Sequence, residues 1–197
     1  VVLPEAQRRA LLLDAASRVF LAHGYAAATM SAIAVEARMS KRTVYQVYPS
    51  KLALFDALLE DRIFQLPIPP DLGGADQTER LTRLVLAIAD ILLRPDRTGL
   101  IRLIINDGQA SPELATAFER LKMGSKLNAL EVWVGEEIAA GGLPPGDARE
   151  LARMLFGITI CEPLLSALIR APHNAEEPAI EDRVRTAVGI FLRGLGG

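Results

Sequence analysis

The chain has 197 residues, half of them hydrophobic, and a net charge of −2. That length suits one large domain or a small domain followed by a larger one, and the apolar content excludes a disordered chain. Cys161 is the single cysteine, which excludes an internal disulfide and leads us to expect a reducing cytoplasm.

The charge is unevenly divided: residues 1–60 sum to +2 and the remainder to −4. No charged-then-apolar signal opens the chain. The longest apolar tract, Met154 to Ile169, is interrupted by Thr159, Glu162, Pro163 and Ser166 and is too short to span a bilayer, so no membrane partner is expected. The chain opens on Val1 rather than methionine, which leaves room for a native N-terminal arm.

The elements read as helical from end to end. Leu12, Ala15, Ala16, Val19 and Phe20 recur at helical spacing and form one apolar face of a first helix, which Gly24 should stop. Thr29 or Ser31 can cap a second helix that buries Ile33, Ala34 and Ala37. Ser40 caps a third over Lys41 to Val47, Pro49 ends it, and Ser50 caps a fourth through Leu54, Phe55, Leu58 and Leu59. A Pro/Gly break follows at 66–75. Five further helices are predicted near 77–93, 96–108, 112–140, 147–171 and 177–194, with Pro163 kinking the fourth of these. The expectation is an all-α chain of about nine helices, with a boundary between residues 1–55 and 56–197.

Chemistry concentrates between Thr29 and Lys51. No acid lies between Glu36 and Asp56, whereas Arg38, Lys41, Arg42 and Lys51 all do. Two short capped helices joined by a tight turn can set the second into a major groove. Val44 and Tyr48 face Ile33 and Ala37 in a small core, leaving Lys41, Arg42, Thr43, Tyr45 and Gln46 on the other side. Lys and Arg suit phosphates or guanine edges, and Gln can pair with adenine. Lys51, in the first turn of the fourth helix, is placed to meet a phosphate. The partner this pattern implies is double-stranded DNA.

Leu11–Tyr25, Thr29, Ile33-Ala34, Ala37, Ser40, Thr43-Val44-Tyr45, Tyr48, Ser50-Lys51 and Leu54-Phe55 together resemble the TetR family of transcriptional regulators. The resemblance implies an N-terminal helix-turn-helix domain whose Thr29, Ser40, Thr43, Tyr45 and Lys51 touch phosphates. It also implies a repressor that binds palindromic operator DNA as a dimer. Arg38 stands where the family usually has a turn glycine. Arg42 stands where the family often has a small residue, and is read as an added DNA contact.

The stretch Leu100–Arg120 resembles one C-terminal subgroup, which implies a small-molecule pocket among the middle helices and a homodimer through the last two. Candidate pocket residues are Arg102, Asn106, Phe118, Met123, Leu130, Trp133 and Glu162, mainly apolar walls with a few polar groups for a lipophilic or aromatic effector. A constitutive regulator without a ligand is the alternative. Enzymatic function is not expected: His23 and His173 have no nucleophile at a useful spacing, and no metal-ligand or phosphate-loop pattern, cofactor motif or catalytic residue is present.

Overall fold

The computed structural model describes residues 4–64, 73–124, 129–169 and 179–195. Its elements are α1 (Glu5–Ala27), α2 (Met30–Glu36), α3 (Lys41–Val47), α4 (Lys51–Leu59), α5 (Gln77–Leu92), α6 (Pro95–Asp107), α7 (Pro112–Gly124), α8 (Ala129–Ala139), α9 (Ala148–Thr159), α10 (Cys161–Ile169) and α11 (Ile180–Leu195). A π-helical turn, Glu60–Phe64, continues α4. No strand occurs among the described residues. The all-α expectation therefore holds, but the count of about nine helices is corrected to eleven among the described residues.

The two extra helices have different origins. The segment expected as one helix over 112–140 holds α7 and α8, and residues 125–128 between them lie outside the described residues. The Pro/Gly break predicted at 66–75 falls mostly outside them too, as do the stops at Pro172 and Gly196-Gly197. The segment 147–171 divides at Ile160, where α9 and α10 meet at a bend of 51°.

Pro163 explains where that bend falls. It has no N–H to donate to the carbonyl four residues back, so the break belongs at Thr159 rather than at the proline itself. The Thr159 hydroxyl donates to the Leu155 carbonyl at 2.6 Å, a back-bond that favours bending. The freed Thr159 carbonyl instead accepts from Nε of Arg183 on α11, at 3.3 Å. No single helix among the described residues is long and apolar enough to cross a membrane.

The helices pack as two compact units, Val1–Gln65 with Pro95–Ser125 and Leu66–Arg94 with Lys126–Gly197. In the first, the predicted face of α1 (Leu12, Ala15, Ala16, Val19, Phe20) is wholly buried against Ile33, Val44, Leu54, Phe55 and Leu58. Leu100 and Leu103 of α6 and Leu114 of α7 complete that core, so two helices distant in sequence belong to the same packed body as the first four. Gly99 lets α6 approach α1, since a Cβ there would lie 2.9 Å from the Leu21 side chain.

The second unit buries Leu81, Val85 and Ile88 of α5 with Leu130, Leu155, Ile160, Val184 and Val188. Asp76 caps α5 by accepting from the Glu79 N–H at 2.8 Å. Arg185 of α11 reaches Glu79 at 3.2 Å, and Arg80 reaches Glu137 of α8 at 3.1 Å.

Candidate nucleic-acid interface

Local capping sets the geometry of the candidate site. The Thr29 hydroxyl accepts from the Ala32 N–H at 3.1 Å and starts α2. The Ser40 hydroxyl accepts from the Thr43 N–H at 3.1 Å and starts α3, with the two hydroxyls 2.9 Å apart. Ser50 starts α4 by accepting from the Ala53 N–H at 3.0 Å. Each cap is worth about 1 kcal/mol in helices of this kind.

Between α2 and α3 the chain turns through Arg38 at φ 54°, the only non-glycine with positive φ among the described residues. Met39 N–H donates to the Ala34 carbonyl at 2.9 Å, and Arg38 N–H to that of Val35 at 3.0 Å. This pair of bonds is the Schellman closure that normally takes glycine. Holding an L side chain there costs roughly 1–2 kcal/mol.

Inside the motif Ile33 and Val44 are fully buried, Tyr48 nearly so, and Ala37 packs on the same cluster. Burial pushes the Tyr48 phenol above its ordinary value, and Arg9, lying over the ring at 5.6 Å, opposes the shift. Tyr48 therefore fixes the angle of α3. On the opposite side Lys41, Arg42 and Gln46 are exposed, Tyr45 is 51% exposed, and Thr43 is half-buried.

The charge on that side is unneutralised. In the same unit Arg18 pairs with Glu36, Arg62 with Asp14, and Arg120 with Asp56. Among the described residues the side chains of Arg38, Lys41 and Arg42 have no ion-pair or hydrogen-bond partner. A face with free cations, hydroxyls, an amide and an aromatic ring has the groups that bind phosphates and base edges.

Lys51 is placed differently from the phosphate-facing position expected of it. Its ammonium donates to the carbonyls of Tyr25 (2.7 Å), Ala28 (3.1 Å) and Ala26 (3.4 Å), and sits 4.2 Å from the Tyr25 ring centroid. All three N–H donors are thereby used, and they close the end of α1 just before the Thr29 cap. The other side of the same segment is held from α6: Asp107 Oδ2 accepts from the Tyr25 N–H at 2.7 Å. Gly24, at φ 77°, makes room for that carboxylate, since a Cβ there would lie 3.1 Å from Oδ2. Sequence reasoning missed this clasp, because its partners are 82 residues apart.

The pocket candidates are distributed over both units. Asn106 is exposed, Arg102 is half-buried, and Phe118 packs on the first core with its ring 5.4 Å from that of Phe64. In the second unit Leu130 is buried in the core and Trp133 packs against it partly exposed. Glu162 pairs with Arg183 at 3.1 Å and accepts from the Ser166 hydroxyl at 3.0 Å. The Met123 side chain lies outside the described residues.

A capped two-helix motif presenting a basic, hydroxyl-rich face is a helix-turn-helix, the motif of DNA-binding regulators. Comparison with known proteins names the family. Residues 12–58 match the model for bacterial regulatory proteins of the tetR family, and residues 79–195 match that of the AefR-like transcriptional repressor C-terminal domain. The chain belongs to the TetR family of transcriptional regulators.

Among curated proteins, the HTH-type transcriptional activator FasR of Mycolicibacterium smegmatis is 36% identical over 121 residues, 57% of this chain and 52% of FasR. The match thus spans about half the length of that relative. Among solved structures, a TetR-family regulator from Mesorhizobium loti superposes with a TM-score of 0.76 at 24% identity, covering 98% of each chain. The flavonoid-responsive regulator FrrA superposes with a TM-score of 0.72 at 28% identity, covering 96% of this chain and 97% of its own.

Proposed function

We propose that the protein is a ligand-responsive repressor that binds palindromic operator DNA as a homodimer in the cytoplasm and is released by a small lipophilic or aromatic effector. The observation that carries the DNA reading is the α3 face, where Lys41 and Arg42 have no acid partner among the described residues and flank exposed Tyr45 and Gln46. In this reading Thr29, Ser40, Thr43 and Tyr45 contact phosphates, and Lys41, Arg42 and Gln46 reach phosphates or base edges. Lys51 serves the site by positioning α1 against α4. The repressor reading draws on the AefR-like match, and the aromatic effector on the flavonoid response of FrrA and on half-exposed Trp133.

The test is to select genomic fragments with the wild-type protein and with Tyr45→Ala. The wild type should enrich a palindromic site. Tyr45→Ala, whose ring contributes nothing to the core, should fold normally and lose at least tenfold in affinity, about 1.4 kcal/mol. Equal enrichment by both proteins would remove α3 from the interface. Flavonoids titrated onto the wild-type complex should release the fragment with a change in Trp133 fluorescence. Release by no member of a lipophilic panel would favour a constitutive regulator.

The homodimer rests on apolar surface at the end of the chain. Val184, Val188 and Phe191 of α11 pack into the second core. Ile158 (α9), Leu165 and Ile169 (α10) and Ile190 (α11) remain largely exposed, and Ile158 and Ile190 line one shallow groove with Ala187. Isolated apolar patches of this kind mark interfaces. Ile190→Glu should shift sedimentation from dimer to monomer at micromolar concentration and leave helicity unchanged. A variant that still sediments as a dimer would place the interface elsewhere.

A further inference from the structure

The strain at Arg38 has no return inside the protein. Its φ of 54° belongs to the region where glycine is preferred, and the Schellman bonds that hold it there would form equally well with glycine. Its side chain is exposed and has no partner among the described residues. The acid nearest in sequence, Glu36, is already taken by Arg18 at 2.6 Å. Lys41 and Arg42 follow within one turn, also unpaired. Three cations therefore cluster where α3 begins, and the one on the turn occupies a backbone conformation that an uncharged, smaller residue would hold more easily. Strain kept at such a position points outward, to a ligand that uses the side chain.

We propose that Arg38 is a DNA-backbone contact: its guanidinium binds a phosphodiester at the edge of the groove that α3 enters, adding affinity without base preference. This rests on the regulator reading above and extends its contact surface to the turn. A phosphate is the fitting anion because the residues that follow are exposed Ser40, Lys41 and Arg42 and half-buried Thr43, two cations and two hydroxyls. Contacts of this class appear in the salt dependence of binding rather than in sequence preference.

The experiment uses the full chain and two probes: a duplex recovered by wild-type selection from genomic DNA, and a mixed-sequence duplex of the same length. Arg38→Gly should raise the melting temperature by roughly 2–4 °C as the strain is relieved. It should nevertheless weaken binding to both duplexes by a similar factor, roughly 5- to 10-fold per protomer. The slope of log K against log salt should fall by about 0.9 for each protomer bound. Arg38→Lys should keep the wild-type slope and melting temperature.

An unchanged slope for Arg38→Gly overturns the proposal, and so does a lower melting temperature, since the strain would then not exist. A loss confined to the selected duplex also overturns it, because that would mean base reading. If the wild type itself shows no salt-dependent binding to either duplex, the regulator reading has failed instead.

Discussion

Replacing Phe55 with alanine is expected to destabilise the first compact unit by about 3–5 kcal/mol. Phe55 is fully buried on α4. Its ring meets Phe20 edge-on at 5.4 Å and Tyr25 at 5.2 Å, while Phe20 and Tyr25 stack at 5.6 Å. Phe20 and Tyr25 bracket Gly24 in sequence, so the cluster locks α4 to the end of α1 where the chain turns toward the motif. At roughly 2–4 °C per kcal/mol for a chain of this size, the melting temperature should fall by about 6 °C or more. Phe55→Leu keeps most of the volume and should lose only about 1 kcal/mol, the share of the ring contacts. Urea unfolding of both variants separates the two. Equal, small losses would mean that the core collapses around the missing ring.

Lys51→Met is the second large effect. The methionine keeps an apolar stem of similar length but leaves the carbonyls of Tyr25, Ala26 and Ala28 without their donor. Losing charge-assisted bonds in a half-buried site should cost about 1.5–3 kcal/mol in urea unfolding. Operator affinity should fall as well, because α1 and α4 no longer hold α2 in register. The slope of log K against log salt should stay at the wild-type value, since the ammonium meets carbonyls and no phosphate contact is lost. A slope lower by about 0.9 per protomer would show instead that Lys51 leaves the carbonyls for DNA in the complex.

The parts of the fold that were legible in sequence are the local ones. Thr29, Ser40 and Ser50 cap the helices they precede because capping needs only a hydroxyl and an N–H three residues on. Val44 and Tyr48 went inside, and Tyr45 stayed out, as helical spacing requires. The departure at Arg38 was visible in the sequence, and the positive φ there is set by the Schellman closure of the turn.

What was not legible depends on distant backbone. Nothing in residues 100–110 marks Asp107 as the acceptor for Tyr25 N–H. A lysine whose partners are main-chain carbonyls leaves no trace in side-chain pattern, so Lys51 reads as a free cation until its surroundings are seen. The bend near Pro163 was foreseen, but its consequence for Arg183 was not, because the orphaned carbonyl lies four residues back and its donor comes from another helix. Pocket residues were chosen by residue type alone, and Leu130 shows the weakness of that basis: an apolar residue suited to a ligand suits a core equally well.

The membership of α6 and α7 in the first core bears on how this chain can be cut and recombined. Leu100, Leu103 and Leu114 close the same apolar interior as Phe20 and Phe55, so the unit that carries the helix-turn-helix is discontinuous in sequence. A fragment ending after α4 would carry the whole helix-turn-helix motif and still expose the surface those leucines cover. A chimaera joined at residue 55 would graft a foreign α6 onto α1 and inherit whatever side chains it brings to Leu21 and Gly24. The portable module is the first four helices together with 95–124; because the chain passes between the two units three times, at 65/66, 94/95 and 125/126, replacing the second unit takes all three junctions.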